Sequence, residues 1–228
     1  MSGERLFLET EAVARDVLGD IRGLKLVDIG AGSGRIARKL QALGAQVTGV
    51  EPNAVFVKKA EALGGVSRFV NATAEETGLE DGEFDVSFFS LSLHHVADKP
   101  AAVREAHRLT RTGGRILVIE PIAPDPSYPV MRFLDDESAV YAEAQAALND
   151  AVSSALLRHD RTLDFASKYR VETPDEMIAD VLSVDSGRSP LPEADRPAYE
   201  AAFEAAQERD QDGGYIPYWS RADLFLRT

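Results

Sequence analysis

The sequence predicts an α/β fold in which a mostly parallel sheet carries helices on both faces. Short apolar runs alternate with segments of helical spacing through the first half of the chain, and five such units follow one another between residues 24 and 119. Short apolar runs of this kind are typical of parallel strands buried on both faces. Crossovers between such strands are right-handed, so helices cover both sides of the sheet.

Five apolar runs are the predicted parallel strands, at residues 24–30, 45–51, 66–70, 84–91 and 116–119. Apolar residues at helical spacing follow each of the first two runs, and another predicted helix precedes the fifth run. Asn53 and Asp98 are predicted helix caps, because short polar side chains accept hydrogen bonds from the first turn. Gly44 is predicted to end the first of these helices.

The second half changes character after four prolines between residues 121 and 129. Apolar residues at four-residue steps from Val140 to Leu156 predict a helix of about 20 residues. Further helices are predicted after Thr173 and over 193–207, followed by a strand over 215–226. The helices between residues 121 and 190 are expected to cover the carboxyl edge of the sheet, where open α/β sheets bind ligands.

We therefore expect one domain over residues 1–228. It would comprise an N-terminal helix within 1–22, a core over 24–120, a helical cover over 121–190, and a C-terminal helix and strand over 191–228.

Composition restricts the classes of partner. The chain has 38 Asp and Glu against 25 Lys and Arg, a net charge of −13, and its bases are scattered, which argues against a nucleic-acid partner. No apolar run reaches the roughly 18 residues of a membrane span, and no signal peptide is evident. The absence of cysteine excludes disulfides and thiolate chemistry. We expect a cytoplasmic protein with no membrane partner; the oligomeric state is not predicted.

A glycine-rich segment follows the first strand. Gly30, Gly32 and Gly34 allow a tight strand-to-helix turn that brings bare backbone against a ligand. The dinucleotide fingerprint would place its third glycine at position 35, where this chain has Arg35. The order here is G-x-G-x-G, preceded by Asp28.

Glu51 ends the second strand, 21 residues after Gly30. A carboxylate at that place can accept hydrogen bonds from both hydroxyls of a ribose diol, and it would repel a 2′-phosphate. The glycine loop and Glu51 together predict a site for a ligand that carries a ribose.

These segments resemble the class I S-adenosylmethionine-dependent methyltransferases that act on small metabolites. The resemblance covers residues 24–120 and rests on five segments: 27–34, Glu51, 71–76, 81–86 and 90–96. It implies a Rossmann-like, doubly wound, mostly parallel sheet of seven strands with an antiparallel last strand, and a helical cover inserted after strand 5. It also implies S-adenosylmethionine as cofactor and S-adenosylhomocysteine as product.

The family's roles at the methionine end fall on five residues. The backbone of Gly30, Ala31 and Gly32 would approach the methionine moiety and the ribose. Asp28 would orient the methionine amino group, directly or through water, and Ser90 would present backbone nearby.

At the other end, Glu51 would bind the ribose hydroxyls and Pro52 would lie near the adenine. Ala74 would offer its N–H to an adenine nitrogen. Thr73 stands where the family often has an acid that accepts the adenine amino group. A threonine hydroxyl or a neighbouring carbonyl can take that place.

The candidate catalytic residues are histidines. A base is needed only if the acceptor loses a proton near its attack, and His95, after the fourth strand, is the candidate. The alternative is a structural role for His94 and His95 together. Arg158, His159 and Arg161, at the end of the long predicted helix, either contact an acidic substrate or stabilise the helix C-terminus.

Five aromatic residues could wall an acceptor pocket or belong to the core: Tyr141, Tyr169, Tyr215, Tyr218 and Trp219. Asp135 and Asp136 are adjacent acids near a helix start, and no third ligand accompanies them, so no metal site is predicted.

The main interpretation is transfer of a methyl group to an O or N atom of a small molecule by in-line displacement. A non-catalytic protein that binds S-adenosylmethionine or a nucleoside is the first alternative. An NAD-dependent oxidoreductase, disfavoured by Arg35, is the second.

Overall fold

The computed structural model describes residues 6–122, 127–184 and 189–228. The chain falls into two compact units. The larger consists of Leu8–Glu120, Ala142–Asp164 and Arg221–Thr228, and the smaller of Met1–Phe7, Pro121–Tyr141 and Phe165–Ser220. The single-domain organisation of the chain stays a prediction.

Eight strands form one sheet. They are β1 (Lys25–Ile29), β2 (Gln46–Val50), β3 (Arg68–Val70), β4 (Phe84–Ser90), β5 (Thr110–Pro121), β6 (Leu157–Arg170), β7 (Glu208–Asp210) and β8 (Gly213–Arg227). Their order is β3-β2-β1-β4-β5-β8-β6, and β7 pairs with β8.

The first five strands are parallel, which confirms the predicted fold class. The last strand runs against them, since Arg227 near the end of β8 donates to the carbonyl of Thr110 at the beginning of β5. β7 is antiparallel to β8.

Eight α-helices lie in the described residues. They are α1 (Thr10–Leu18), α2 (Arg35–Ala42), α3 (Ala54–Leu63), α4 (Lys99–Leu109), α5 (Tyr128–Met131), α6 (Ser138–Ser153), α7 (Pro174–Val184) and α8 (Arg196–Ala206). Both predicted caps are confirmed: Asn53 accepts from the N–H of Val55, and Asp98 accepts from that of Ala101, each at 2.9 Å.

Two details of the second half differ from the sequence prediction. The sheet has eight strands rather than seven, because β6 lies inside the segment predicted to be helical. The long helix α6 ends at Ser153, so Leu156 and His159 lie outside it and His159 is on β6. The prediction failed because residues 158–162 are all polar and exposed, which leaves no alternation to mark a strand.

Each unit has its own apolar core. In the larger unit the core joins β1, β4 and β5 to α4 and α6, and buries residues such as Ile29, Phe89 and Leu148. In the smaller unit Tyr199 and Phe203 of α8 pack with Met177 of α7. None of the helices in the described ranges has the length and apolar content that crossing a bilayer requires.

Candidate functional site

The predicted site residues follow neighbouring strands at one edge of the sheet. Ile29 of β1 pairs in register with Val50 of β2 and with Phe89 of β4, and Val50 pairs with Val70 of β3. Because these strands are parallel, their carboxyl ends meet at the same edge. The loops that follow them carry the predicted cofactor residues, except for Asp28 and Ser90, which are within strands.

The glycine loop is closed by backbone hydrogen bonds. The N–H groups of Gly30 and Ala31 both donate to the carbonyl of Val50, at 2.9 and 3.0 Å. Gly30 has a φ of +79°, and a Cβ placed on it would lie 2.5 Å from that of Ser92, so the position requires glycine. Gly32 also has a positive φ, +55°, yet a Cβ there would meet nothing within 4 Å. The loop thus leaves open space beside Gly32.

Glu51 is held at this loop by two backbone donors. Its Oε2 accepts from the N–H of Gly32 and its Oε1 from the N–H of Asn53, each at 2.9 Å. The side chain is largely buried. A carboxylate oxygen has two lone pairs, so each Oε keeps the capacity to accept one further hydrogen bond. The carboxylate is therefore fixed in orientation and able to accept from two adjacent hydroxyls.

Asp28 is a buried carboxylate inside β1. The residue is 1% exposed, and its Oδ1 has no hydrogen-bond partner among the described residues. Burial, together with the charge of Glu51, raises the pKa of Asp28 to about 7. A buried carboxylate without a partner is costly, and a cationic ligand group is the natural partner for it.

The loop after β3 carries the candidate adenine residues. Asn71, the first residue of this loop, links the loop to the segment that carries Glu51. The Nδ2 of Asn71 donates to the carbonyls of Glu51 at 2.9 Å and of Pro52 at 2.8 Å. Ala74 is buried in the core of the larger unit, and the neighbouring Thr73 is exposed. Pro52 is exposed as well.

A buried carboxylate anchors the rest of this loop to α4. Glu105 Oε1 accepts from the N–H of Thr77 at 2.9 Å and from its hydroxyl at 2.6 Å, and Arg108 donates to both carboxylate oxygens. Burial would raise the pKa of Glu105, but the hydrogen bonds from Arg108 and Thr77 lower it to about 2. The loop with Thr73 and Ala74 is thereby fixed to the helix.

The backbone is strained where β4 ends. Leu91 has a φ of +55°, an uncommon conformation for a residue with a branched side chain. It follows Ser90 directly, and its N–H donates to the carbonyl of Ile119 at 2.8 Å. Ser92 then donates its hydroxyl to the carbonyl of Ile29 at 2.7 Å. Strain of this kind persists only where surrounding contacts impose it, and it clusters at functional sites.

A histidine–carboxylate pair follows the strained turn. His94 is buried, and its Nδ1 lies at hydrogen-bond distance from Glu120 Oε2. Glu120 Oε1 accepts from the N–H of Leu93 at 2.9 Å. One carboxylate therefore holds the turn by contacts with the Leu93 backbone and the His94 ring. His95 is exposed, with its ring centroid 3.9 Å from that of His94. The structure thus places the candidate base beside a fixed imidazole.

The basic residues of β6 have acidic partners within the chain. His159 Nε2 lies 3.4 Å from Asp223 Oδ1, and Arg161 donates to Asp16 Oδ2 at 2.8 Å. These contacts favour a structural role over binding of an acidic substrate.

The chemistry of these groups fits S-adenosylmethionine. The unpartnered Asp28 oxygen suits an ammonium group, the oriented Glu51 carboxylate suits a diol, and the space beside Gly32 lets a ligand reach the backbone. NAD also carries a ribose, but it has no amino-acid ammonium group to complement Asp28.

The residues that hold the predicted site residues in place were not predicted from the sequence. Glu120 stands directly after a continuously apolar run, which is the same signal that identified Glu51. Asn71 likewise stands directly after β3. Ser92 and Leu91 gave no signal, because their roles arise from a contact with the glycine loop and from backbone conformation.

Comparisons with known proteins find similarity to methyltransferases. Residues 27–118 match the family described as a methyltransferase domain. The ubiquinone/menaquinone biosynthesis C-methyltransferase of Idiomarina loihiensis is 33% identical over 115 residues, which are 46% of this chain and 45% of that protein. The malonyl-[acyl-carrier protein] O-methyltransferase of Pseudescherichia vulneris is 28% identical over 99 residues, 43% of this chain and 39% of that protein. The chain thus spans less than half the length of these relatives.

Among solved structures, the YcgJ protein of Bacillus subtilis superposes with a TM-score of 0.63 at 19% identity, and the match covers 95% of this chain and 97% of that one. At this identity the likeness concerns the fold. The family match spans the positions of all the predicted cofactor contacts, from Asp28 to Ser90. The match over residues 27–118 therefore confirms the predicted resemblance to the class I S-adenosylmethionine-dependent methyltransferases.

Proposed function

We propose that the chain binds S-adenosylmethionine and transfers its methyl group to an O or N atom of a small molecule by in-line displacement. The observation that carries this proposal is the pair of carboxylates at the edge of the sheet. Glu51 is oriented by two backbone N–H groups, and the buried Asp28 has an Oδ1 to which none of the described residues donates. A ligand with both a diol and an ammonium group satisfies the two at once.

In this proposal each cofactor residue acts through a contact of its own kind. Glu51 accepts the ribose hydroxyls, Asp28 binds the methionine ammonium group, and the backbone at Gly30, Ala31 and Gly32 approaches the ligand closely. Ala74 and Thr73 serve the adenine through backbone and hydroxyl groups, with Pro52 beside the ring. Ser90 presents backbone at the methionine end.

When bound, S-adenosylmethionine supplies a methyl group already activated by its sulfonium. The chain then has to position the acceptor and exclude water, which can supply much of the rate enhancement. His95 is the proposed proton acceptor for substrates that lose a proton during attack. His94 and Glu120 are proposed as positioning residues, because they fix the turn on which His95 stands.

A small-molecule acceptor is supported by the net charge of −13, which disfavours polyanions, and a cytoplasmic location belongs to the same proposal. The curated relatives include a C- and an O-methyltransferase, so they do not decide which acceptor atom this chain uses.

Turnover of methyl-labelled S-adenosylmethionine against a panel of hydroxyl and amine metabolites tests the proposal. We expect label in at least one acceptor and loss of that signal in Glu51→Gln. Binding of S-adenosylmethionine without transfer to any acceptor would instead favour the non-catalytic binding protein.

A further inference from the structure

The ring of Phe69, in the short strand β3, lies against two glycines of the larger unit. Phe69 pairs in register with Gly49 of β2. A Cβ placed on Gly49 would lie 2.4 Å from Cε1 of the ring, and a Cβ placed on Gly34, the last glycine of the loop, would lie 2.5 Å from its Cζ. The ring therefore fills the space between β2 and the end of the glycine loop.

Arg38 holds the same end of the loop from helix α2. Its Nη1 donates to the carbonyl of Ser33 at 2.8 Å. Its stem passes Gly65, after α3, where a Cβ would lie 3.4 Å from the Cδ of Arg38, which is ordinary van der Waals contact. The side chain is partly buried and spans from the end of α3 to the loop. A planar guanidinium fixed in this way holds the carbonyl in one orientation.

The end of the loop is connected to the part that approaches the ligand. The N–H of Gly34 donates to the carbonyl of Ala31 at 2.8 Å, which closes a tight turn. Inside that turn the N–H of Gly32 donates to Glu51 Oε2 at 2.9 Å. A shift of Gly34 would therefore move Ala31 and Gly32, whose backbone approaches the ligand in the proposed function.

Neither Phe69 nor Arg38 belongs to the predicted cofactor contacts, yet both touch the segment that provides them. A binding site keeps its geometry when the groups that touch the ligand are held by a further layer of packing and hydrogen bonds. Closely packed side chains transmit a displacement to their neighbours, because little empty space absorbs it. The two side chains meet both conditions at the glycine loop.

We propose that Phe69 and Arg38 are positioning residues for the ligand of the glycine loop. The ring sets the distance between the loop and β2, and the guanidinium holds the carbonyl of Ser33. Together they fix the backbone at Ala31 and Gly32. The identity of the ligand as S-adenosylmethionine rests on the proposed function, whereas the support of the loop does not.

Hydrogen exchange in the ligand-free chain tests the support of the loop. Phe69→Val removes the ring, and Arg38→Met removes the guanidinium but keeps an unbranched stem. We expect the N–H groups of Gly32 and Gly34 to exchange about tenfold faster in each variant, measured by NMR, because local opening of the loop becomes easier. Unchanged exchange at both glycines in both variants would overturn the proposal.

Calorimetric titration with S-adenosylhomocysteine measures the consequence for binding. Phe69→Val and Arg38→Met should each weaken binding by about tenfold, as loss of a supporting partner commonly does. The matched controls are Phe133→Val, at another partly buried phenylalanine in the smaller unit, and Arg104→Met, at an exposed arginine on α4. Both controls should keep the original exchange rates and affinity. Native affinity in both folded test variants would contradict the positioning role.

Gly49→Ala supplies a readout that a general loss of stability would not give. Gly49 has no positive φ, so the added methyl group strains packing against the ring rather than the backbone. We expect weaker binding in Gly49→Ala and partial recovery when Phe69→Val is added, because valine lacks the ring atoms that the methyl group meets. Independent effects would add instead. A double variant that binds more weakly than either single variant would overturn the assignment to the ring.

The two measurements separate this inference from the proposed function. A chain that binds S-adenosylhomocysteine equally well with and without these substitutions keeps the proposed function and loses this inference. A chain that does not bind it, but whose loop exchanges faster in Phe69→Val and Arg38→Met, supports the positioning role and contradicts the proposed function.

Discussion

Two glycines of the same loop have different reasons to be glycine. Gly30 lacks room for a side chain because Ser92 lies against it, whereas Gly32 has a positive φ and open space. Gly23, before β1, has the same two properties as Gly32, with a φ of +76° and nothing within 4 Å. Substitutions at Gly23 and Gly32 should therefore cause the same backbone strain, and only Gly32 lies at the predicted ligand site.

We predict that Gly32→Ala and Gly23→Ala each lower the free energy of unfolding by about 1 kcal/mol, the cost of a left-handed alanine. Only Gly32→Ala should weaken binding of S-adenosylhomocysteine, by tenfold or more, because the new methyl group fills the space that the ligand needs. Thermal melts and calorimetry on both variants measure the two effects. Equal affinities in the two variants would contradict the placement of the ligand at this loop.

Asp28 should make ligand affinity depend on pH. Its pKa of about 7 lies above the usual 3.8, so the carboxylate is increasingly protonated below pH 7, and binding an ammonium group must expel that proton. We predict that affinity for S-adenosylhomocysteine falls up to tenfold per pH unit below 7. In Asp28→Asn the affinity should be weaker and flat between pH 5 and 8. The same flat profile in the unchanged chain would contradict the role of Asp28.

The same shift affects stability with a definite sign. A carboxyl group whose pKa is raised by folding stabilises the native state below pH 3.8, and this contribution is lost as pH rises through 7. Three pKa units correspond to about 4 kcal/mol. We therefore expect a cofactor-free chain to lose stability from acid toward neutral pH at this residue, and a ligand cation to restore it.

At the scale of elements, the loop after β3 depends on its anchor to α4. The pKa of Glu105 is lowered from 4.5 to about 2, so this group stabilises the fold above pH 4.5 and loses its contribution as pH falls toward 2. We predict that Glu105→Gln lowers the free energy of unfolding by about 3 kcal/mol at pH 7, and by less as the medium is acidified.

The matched control for that variant is Glu80→Gln, an exposed acid on the same loop. It should change stability little, since exposed charges contribute little. Denaturant titration at pH 7 and pH 4 measures both variants. A Glu105→Gln chain as stable as the control at pH 7 would show that the loop is held by other contacts.

Four of the first five strands, β1, β2, β4 and β5, were predictable because each contains a largely buried apolar run, and β3 is partly buried. β6 was not predictable, because it lies at the end of the sheet and its first half, after Leu157, is polar and exposed. An edge strand gains its stability from backbone pairing, which leaves no mark in the side-chain pattern. The predicted helix consequently ran past its true end at Ser153.

The site was predictable where one residue carries the chemistry, as at Glu51 or the glycine loop. It was not predictable where two distant segments must meet. Glu120 and His94 are 26 positions apart, and Ser92 reaches a carbonyl 63 positions earlier. Periodicity and local motifs contain no information on such pairs, which only the packing of neighbouring strands brings together.

At the scale of the molecule, the candidate cofactor site lies within one of the two compact units. The larger contains residues 27–118, which match the methyltransferase family and carry the whole candidate cofactor site. The smaller contains a pocket lined by Tyr128, Tyr141 and Tyr218. The candidate cofactor residues therefore all lie within one unit.

The central claim is that the edge of the sheet in the larger unit binds S-adenosylmethionine. Calorimetric titration of the full chain at pH 7.5 with S-adenosylhomocysteine, and separately with NAD, tests it most directly. We predict saturable binding of one S-adenosylhomocysteine per chain and none of NAD. A folded chain that gives no heat with S-adenosylhomocysteine, or that binds NAD instead, would contradict the account.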